Sequence, residues 1–226
     1  MSNPSLARPL RIFSAGLLIA LLDGCSALHL SNTSQPSFYA LDNVYIKASA
    51  EARAMPLQMV PTLIVSAPHA AAGFDTQHII YVRTPHQLEY YAYSEWVDTP
   101  ARMIAPLIVS AIGSSGTFRA VVLTPSAAAG DLRLDTEIVR LQHDVGGQPS
   151  RVRFTLRAYL MDNTTRQILA WREFDETVAI QDEHPYGVVV AANRAVHNVL
   201  EQLGNFCSSA AENWQAPAPE LPEKSY

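Results

Sequence analysis

The sequence has few cysteines and few charged residues. Only two cysteines, Cys25 and Cys207, occur among 226 residues, and no CxxC pair or Cys/His spacing typical of a zinc site is present. Charged side chains make up 16% of the chain, and 21 acidic against 16 basic residues give a formal net charge of −5. A nucleic-acid-binding surface requires a basic field because the phosphate backbone is negative. The composition therefore argues against a zinc module and against a nucleic-acid partner.

Sequence motifs of catalysis and nucleotide binding are also missing. The chain contains no G-x-S-x-G nucleophile turn and no P-loop. It has seven histidines, but no two stand four residues apart on a predicted helix with a carboxylate between them, as a zinc protease requires. His143 lies beside a turn and His184 precedes a proline. We therefore predict no catalytic centre, no metal site and no bound cofactor.

The N-terminal residues 1–24 have the pattern of an export signal. Arg8 and Arg11 precede an uncharged apolar run over residues 12–22, which is shorter than the roughly 20 residues of a membrane-spanning helix. The run ends in Leu22-Asp23-Gly24-Cys25, which resembles the bacterial lipobox except that Asp23 replaces a small or apolar residue. We predict that cleavage makes Cys25 the lipidated N-terminus of the mature protein. The alternative is an ordinary secretory signal followed by a chance cysteine.

The residues after Cys25 predict where the anchored protein resides. Ser26 follows the cysteine, and in well-studied envelopes Asp at that place retains lipoproteins at the inner membrane, so Ser favours the outer membrane. Residues 25–37 are rich in Ser, Thr, Asn, Gln and Pro, a composition typical of a flexible tether. We expect this tether to hold a periplasmic domain away from the membrane surface.

The segment over residues 79–112 organises the predicted domain. Two β-rich runs, residues 79–83 and 88–93, flank Thr84-Pro85 and predict a hairpin. A helix over residues 100–112 follows, because Met103, Ile104, Leu107, Ile108 and Ile112 recur at helical spacing. Pro106 interrupts this pattern, so we expect a kink or an early break there.

The C-terminal half predicts an antiparallel meander and a second helix. Apolar residues alternate in strands around residues 132–138, 152–160 and 168–174, separated by turn signals. The second helix begins at Pro185, and we expect Gly204 to end it. Together with short strands near residues 38–41, 62–66 and 118–123, the pattern predicts one α+β domain over residues 38–207. This domain has a mainly antiparallel sheet with two principal helices packed on one face, and residues 208–226 form a disordered Pro-rich tail.

Three groups of residues have no assigned role in this core. Tyr90, Tyr91, Tyr93 and Trp96 predict either a strand that packs under the helix or an exposed aromatic face that binds a partner; strand alternation separates Tyr91 and Tyr93 from Tyr90. Cys207 is either a buried small hydrophobic residue or a free thiol near the tail. The third group, a partner surface or a solvated strand face, comprises Arg151, Arg153 and Arg157.

The aromatic strand and the helix after it carry a resemblance to a known family. Tyr90-Tyr91-Ala92-Tyr93, then Ser94-Glu95-Trp96, Thr99-Pro100 and Met103-Ile104, resemble the ABC-type transport auxiliary lipoproteins, as does Phe38-Tyr39-Ala40-Leu41 near the start. These are lipid-anchored periplasmic partners of MCE-type (mammalian cell entry) intermembrane lipid transport systems. The resemblance extends from residue 38 to the last helix.

The resemblance implies a non-enzymatic accessory role in lipid transport between the inner and outer membranes. The protein would dock on an MCE-domain protein that bridges the periplasm, and a separate permease and ATPase would supply the energy. Its lipid anchor would hold it at the outer membrane. Whether it forms a homo-oligomeric ring there is not determined by the sequence. Two alternatives remain: a lipid-anchored envelope hydrolase, and a structural lipoprotein of the envelope or of a secretion complex.

Overall fold

One mixed β-sheet and two helices form the fold. The computed structural model describes residues 35–42, 60–212 and 214, and nine strands and two long helices lie within them. Their order is β1 (Ser37–Tyr39), β2 (Thr62–Val65), β3 (His69–Ala70), β4 (His78–Val82), β5 (Glu89–Trp96), α1 (Pro100–Gly113), β6 (Ala120–Leu123), β7 (Leu132–Asp144), β8 (Arg151–Asp162), β9 (Ile168–Ala179) and α2 (Pro185–Glu212). The predicted α+β class is confirmed.

The long strand β7 is the centre of the sheet. One of its sides pairs antiparallel with β8, which pairs antiparallel with β9, so the predicted meander is present. Its other side is shared by β2, β3 and β4, all parallel to it. From there β2 continues to β6, while β4 continues to β5 and then to β1. The sheet therefore branches, and β9, β6 and β1 are its outermost strands in the part of the chain that is described.

The sheet is mixed in direction, which the sequence did not predict. The extended pairings are the antiparallel ones of β7 with β8 and β8 with β9, whereas each parallel pairing joins four residue pairs or fewer. Adjacent strands joined by tight turns are readable from local patterns. The parallel pairs instead join segments far apart in sequence, such as β1 with β5 and β2 with β7, and no local signal records them.

Helix α1 begins and ends as predicted but continues through its proline. Pro100 occupies the first turn after Thr99, and Asp98 forms a salt bridge of 3.2 Å with Arg102 one turn later. Pro106 lies on the exposed side, where water can satisfy the carbonyl that loses its helical partner. The predicted early break is therefore wrong. The opposite face, including Ile104 and Ile108, is fully buried.

Helix α2 extends beyond its predicted end. Gly204 lies inside the helix, which ends at Glu212, and a Cβ on Gly204 would lie 3.6 Å from the Ala111 carbonyl oxygen of α1. That distance is an ordinary van der Waals contact, and the glycine does not end the helix. Cys207 and Ala211 extend the buried face, so the tail predicted to begin at residue 208 is wrong for residues 208–212.

Trp214 corrects the predicted tail at one further position. Its indole N–H donates a 2.7 Å hydrogen bond to the Asp162 carboxylate, and its backbone N–H donates to the Ala211 carbonyl. Asp162 also accepts hydrogen bonds from the N–H groups of Thr164 and Thr165, and these donors hold the pKa of that carboxyl below its usual value. The rest of the predicted tail lies outside the described residues.

A single hydrophobic cluster joins the sheet to both helices. It contains Leu134 and Phe154 from the meander, Ile108 from α1, and Leu200 and Leu203 from α2. The helices pack on each other as well as on strands. None of the described helices is long and apolar enough to cross a membrane. The predicted signal segment, Cys25 and most of the tether fall outside the described residues.

Candidate functional site

The structure separates the four aromatic residues of β5 into different environments. Tyr90 and Tyr93 are 58% and 60% exposed, whereas Trp96 is 3% exposed and lies in the core. Tyr91 is half-buried against the core. The strand therefore exposes Tyr90 and Tyr93 to solvent, while Trp96 belongs to the core, so the prediction of Trp96 as an exposed partner-binding residue is wrong.

A shift in strand register explains why Trp96 is buried. His78 pairs with Glu95, but Ile80 pairs with Tyr90, so the segment of β5 between these pairs is longer than the matching segment of β4. Such an irregularity interrupts the strict alternation of faces. Alternation alone places Trp96 on the side of Tyr90; in the structure Tyr90 stacks on His78, with ring centroids 4.4 Å apart, while Trp96 enters the core.

The half-buried Tyr91 pairs with the buried His143 of β7. The Tyr91 hydroxyl lies 2.8 Å from Nδ1 of His143, and the Tyr81 ring packs 5.0 Å from the Tyr91 ring. Burial raises the pKa of Tyr91 to about 12 and lowers the pKa of His143. Both shifts favour the neutral forms, so the hydrogen bond joins a neutral phenol to a neutral imidazole, and the tautomer of His143 sets which of the two groups donates.

This pair does not have the arrangement of a catalytic centre. A nucleophile–base pair requires a base within reach of substrate, and the His143 side chain is buried beside Val188 and Ala192 of α2. Nε2 of His143 is buried without a protein partner beside a cavity of about 10 Å³, a volume that accommodates one water molecule. The Tyr91–His143 contact is therefore best described as a structural hydrogen bond at the edge of the hydrophobic core.

Two of the three arginines of β8 in the predicted row, Arg153 and Arg157, form ion pairs within the sheet, and Arg151 is exposed. Arg153 contacts Asp175 at 2.6 Å, and Arg157 contacts Glu173 at 2.8 Å and Glu137 at 3.1 Å. These carboxylates belong to the neighbouring strands β9 and β7. Because the charges of Arg153 and Arg157 are matched locally, the structure favours a solvated strand face over a basic partner surface at these two positions.

The remaining thiol and the histidines form no reactive cluster within the described part of the chain. Cys207 is a free cysteine buried in the core, and burial raises its pKa to about 12, which makes it an unreactive thiol. No group of three or more His, Cys, Asp or Glu residues there could hold a metal ion. Of the two readings of Cys207, the buried small hydrophobic residue is the one observed.

A groove between β1 and α2 is a surface that sequence reasoning missed. Its volume is about 340 Å³, within the range of small binding sites. Phe38 and Tyr186 on its rim are 59% and 64% exposed. The lining residues are Phe38, Tyr39, Ala40 and Asp42 on one side and Tyr186, Val189, Val190 and Asn193 on the other. The two sides are distant in sequence, so no local sequence pattern indicates the groove.

A third exposed apolar patch lies at the start of the outermost strand β9. Ile168, Leu169 and Trp171 are exposed there, and the Trp171 ring stacks on Tyr159 of β8 at 6.3 Å. The described domain therefore has three aromatic surfaces, each on or next to an outermost strand or on β5. Exposed aromatic side chains are favoured in protein interfaces.

One protein-family model matches most of this domain. The family model for the ABC-type transport auxiliary lipoprotein component matches residues 39–204, which include both helices up to Gly204 and nearly the whole sheet. No curated protein matches the chain. The matched segment contains the Tyr90–Tyr93 strand and α1, on which the sequence resemblance was based.

Two solved structures share the fold. A DUF330-family protein from Xanthomonas campestris is similar over 78% of this chain and 97% of its own, at 22% identity and a TM-score of 0.65. An uncharacterised protein is similar over 77% of this chain and 99% of its own, at 12% identity and a TM-score of 0.60. At these identities the likeness concerns the fold alone.

Proposed function

This chain belongs to the ABC-type transport auxiliary lipoprotein family, and from that premise we propose that it is a non-enzymatic accessory subunit of an MCE-type lipid transport system. It docks on the MCE-domain protein that bridges the periplasm and is held at the outer membrane by a lipid on Cys25. The observation that carries the proposal is the family match over residues 39–204. A bacterial envelope location follows from membership of a lipoprotein family.

The geometry of the domain supports a binding role. In the described part of the chain, the residues with clearly shifted pKa values are buried structural groups, such as Tyr91 and Cys207, or members of ion pairs and hydrogen-bonded turns. Catalytic groups more often combine a shifted pKa with access to a cleft. The exposed aromatic residues instead provide contact area, and a tethered domain needs only modest affinity because anchoring raises its effective concentration near the partner.

The lipid anchor is tested by mass spectrometry of the mature N-terminal peptide. We expect acyl chains on Cys25 and loss of residues 1–24, because the Leu22-Asp23-Gly24-Cys25 sequence places the cysteine directly after the apolar run. The Cys25→Ala variant should be unprocessed or released from the membrane. An unmodified peptide that retains residues before Cys25 would contradict the anchor.

Docking is tested by co-purification with the periplasmic region of the MCE-domain protein. We expect the domain to bind, and the double variant Tyr90→Ser, Tyr93→Ser to bind at least tenfold more weakly, because these exposed rings are the candidate contact. Trp171→Ser is the matched control, since Trp171 is equally exposed on a different strand. Loss of binding in both variants would indicate a general defect.

The rival enzymatic function makes an opposite prediction. Purified protein should show no turnover of ester or glycan substrates. Hydrolysis that disappears after substitution of a single His or Ser would overturn the accessory role, and a measured affinity for the MCE-domain protein without turnover would support it.

A further inference from the structure

The outermost strand β1 offers backbone hydrogen-bonding groups on its free side. Within the described residues β1 pairs with β5 alone. Val97 N–H donates to the Tyr39 carbonyl, so Tyr39 points its backbone groups toward β5. Because consecutive residues of a strand point their N–H and C=O groups to opposite sides, the N–H and C=O of Phe38 point away from β5.

A side-chain amide from α2 hydrogen-bonds to the backbone that follows β1. Nδ2 of Asn193 donates to the Ala40 carbonyl at 3.2 Å, and its Oδ1 accepts from Asp42 N–H at 2.9 Å. The amide thus bonds to this backbone as a neighbouring strand would. It occupies the Ala40–Asp42 segment and leaves the free edge at Phe38.

The groove beside this edge is wide and partly apolar. Tyr186 and Val190 of α2 form its far wall, and the Tyr39 and Tyr186 rings lie 6.5 Å apart at a tilt of 44°. Gly187 fixes the start of this wall, since a Cβ there would lie 1.9 Å from the Asp182 carbonyl oxygen. The helix therefore starts tightly against its preceding turn, which sets Tyr186 at the rim.

We propose that this groove binds an extended segment of a partner protein, which adds to the sheet along β1 and places an apolar side chain between Phe38 and Tyr186. The free N–H and C=O of Phe38 favour an extended peptide, because its backbone provides an acceptor and a donor at strand spacing. Exposed apolar walls on both sides supply pockets for alternate side chains. Phe38 is in register with Glu95, two residues after Tyr93, so the occupied edge adjoins the exposed side chain of Tyr93.

The test uses the full mature chain and a phage-displayed library of random dodecapeptides. Selection on the wild-type protein, with counter-selection on the Tyr186→Ser variant, should enrich peptides with apolar residues at alternate positions. Synthetic versions of these peptides should bind at least tenfold more weakly to Tyr186→Ser and to Phe38→Pro, which lacks the edge N–H. Trp171→Ser, exposed on another strand, should bind as wild type does.

Amide hydrogen exchange at Phe38 separates strand addition from simple surface adhesion. Saturation with a selected peptide should slow exchange of the Phe38 N–H at least tenfold, because that group becomes hydrogen-bonded. Failure to enrich peptides, or binding without a change at Phe38, would overturn the proposal. Slow exchange of the Phe38 N–H before any peptide is added would also overturn the proposal. An exchange rate that depends on protein concentration would identify a second copy of the chain as the occupant, and a rate independent of concentration would identify another segment of the same chain.

Discussion

At the scale of single residues, the Tyr91–His143 contact is the main polar feature of the core. Burial of the His143 imidazole is favourable only in its neutral form, because its Nε2 has no protein partner and an unpaired buried charge is costly. Glu183 and Asp144 raise its pKa, but desolvation outweighs them and the net direction is downward. The residue is therefore a structural group whose protonation opposes folding.

This environment predicts that the domain loses stability in mild acid. The pKa of His143 is lower in the folded state than its value of about 6.5 in the unfolded chain. Between these two pKa values the unfolded state binds more protons, so the free energy of unfolding falls as pH drops below about 6.5. Urea midpoints measured from pH 7.5 to 5.0 should decrease.

The variant His143→Asn isolates that contribution. Its side-chain amide can accept from or donate to the Tyr91 hydroxyl in place of Nδ1, and it does not titrate. The pH dependence of the midpoint should therefore be shallower than in wild type over the same range. Identical slopes in the two proteins would show that His143 does not carry the effect.

At the scale of elements, the sequence predicted what local periodicity and turn residues encode. Helix α1, the β4–β5 hairpin and the β7–β8–β9 meander were all readable, because neighbours in space are neighbours in sequence. The burial of Trp96 could not be predicted from local patterns, because it depends on a register shift of β5 against β4. The end of α2 was also missed, because a glycine is a common helix-ending signal in sequence, whereas here the packed face of the helix continues past Gly204 to Ala211. The β1 groove joins two segments distant in sequence, so no local pattern marks it.

Helix α1 provides a direct test of the core. Leu107 is buried in the cluster between the helices and the sheet, so Leu107→Asp places a carboxylate where no partner exists. We expect the free energy of unfolding to fall by at least about 3 kcal/mol, measured by thermal or urea unfolding followed by circular dichroism.

The control is Arg102→Asn on the exposed side of the same helix. It removes only the surface salt bridge with Asp98, for which we expect a loss of about 0.5 kcal/mol or less. An unchanged midpoint for Leu107→Asp would mean that this face of α1 is not buried in solution.

At the scale of the whole molecule, the proposal combines a lipid anchor with a rigid binding domain. The helices and the meander form one core, while Tyr93 on β5, Phe38 on β1 and Trp171 on β9 are exposed. In the proposed arrangement the domain binds through these exposed side chains, and the lipid anchor keeps it near the membrane.

The most direct test of docking is photo-crosslinking in intact cells. A photoreactive amino acid is placed in turn at Phe38, Tyr90, Tyr93 and Trp171 of the otherwise native lipoprotein, with a strain lacking the MCE-domain protein as control. The account predicts a crosslinked product containing the MCE-domain protein from Tyr90 or Tyr93, absent in the control strain. If every variant is folded and membrane-bound yet none crosslinks to that protein, the proposed docking is contradicted.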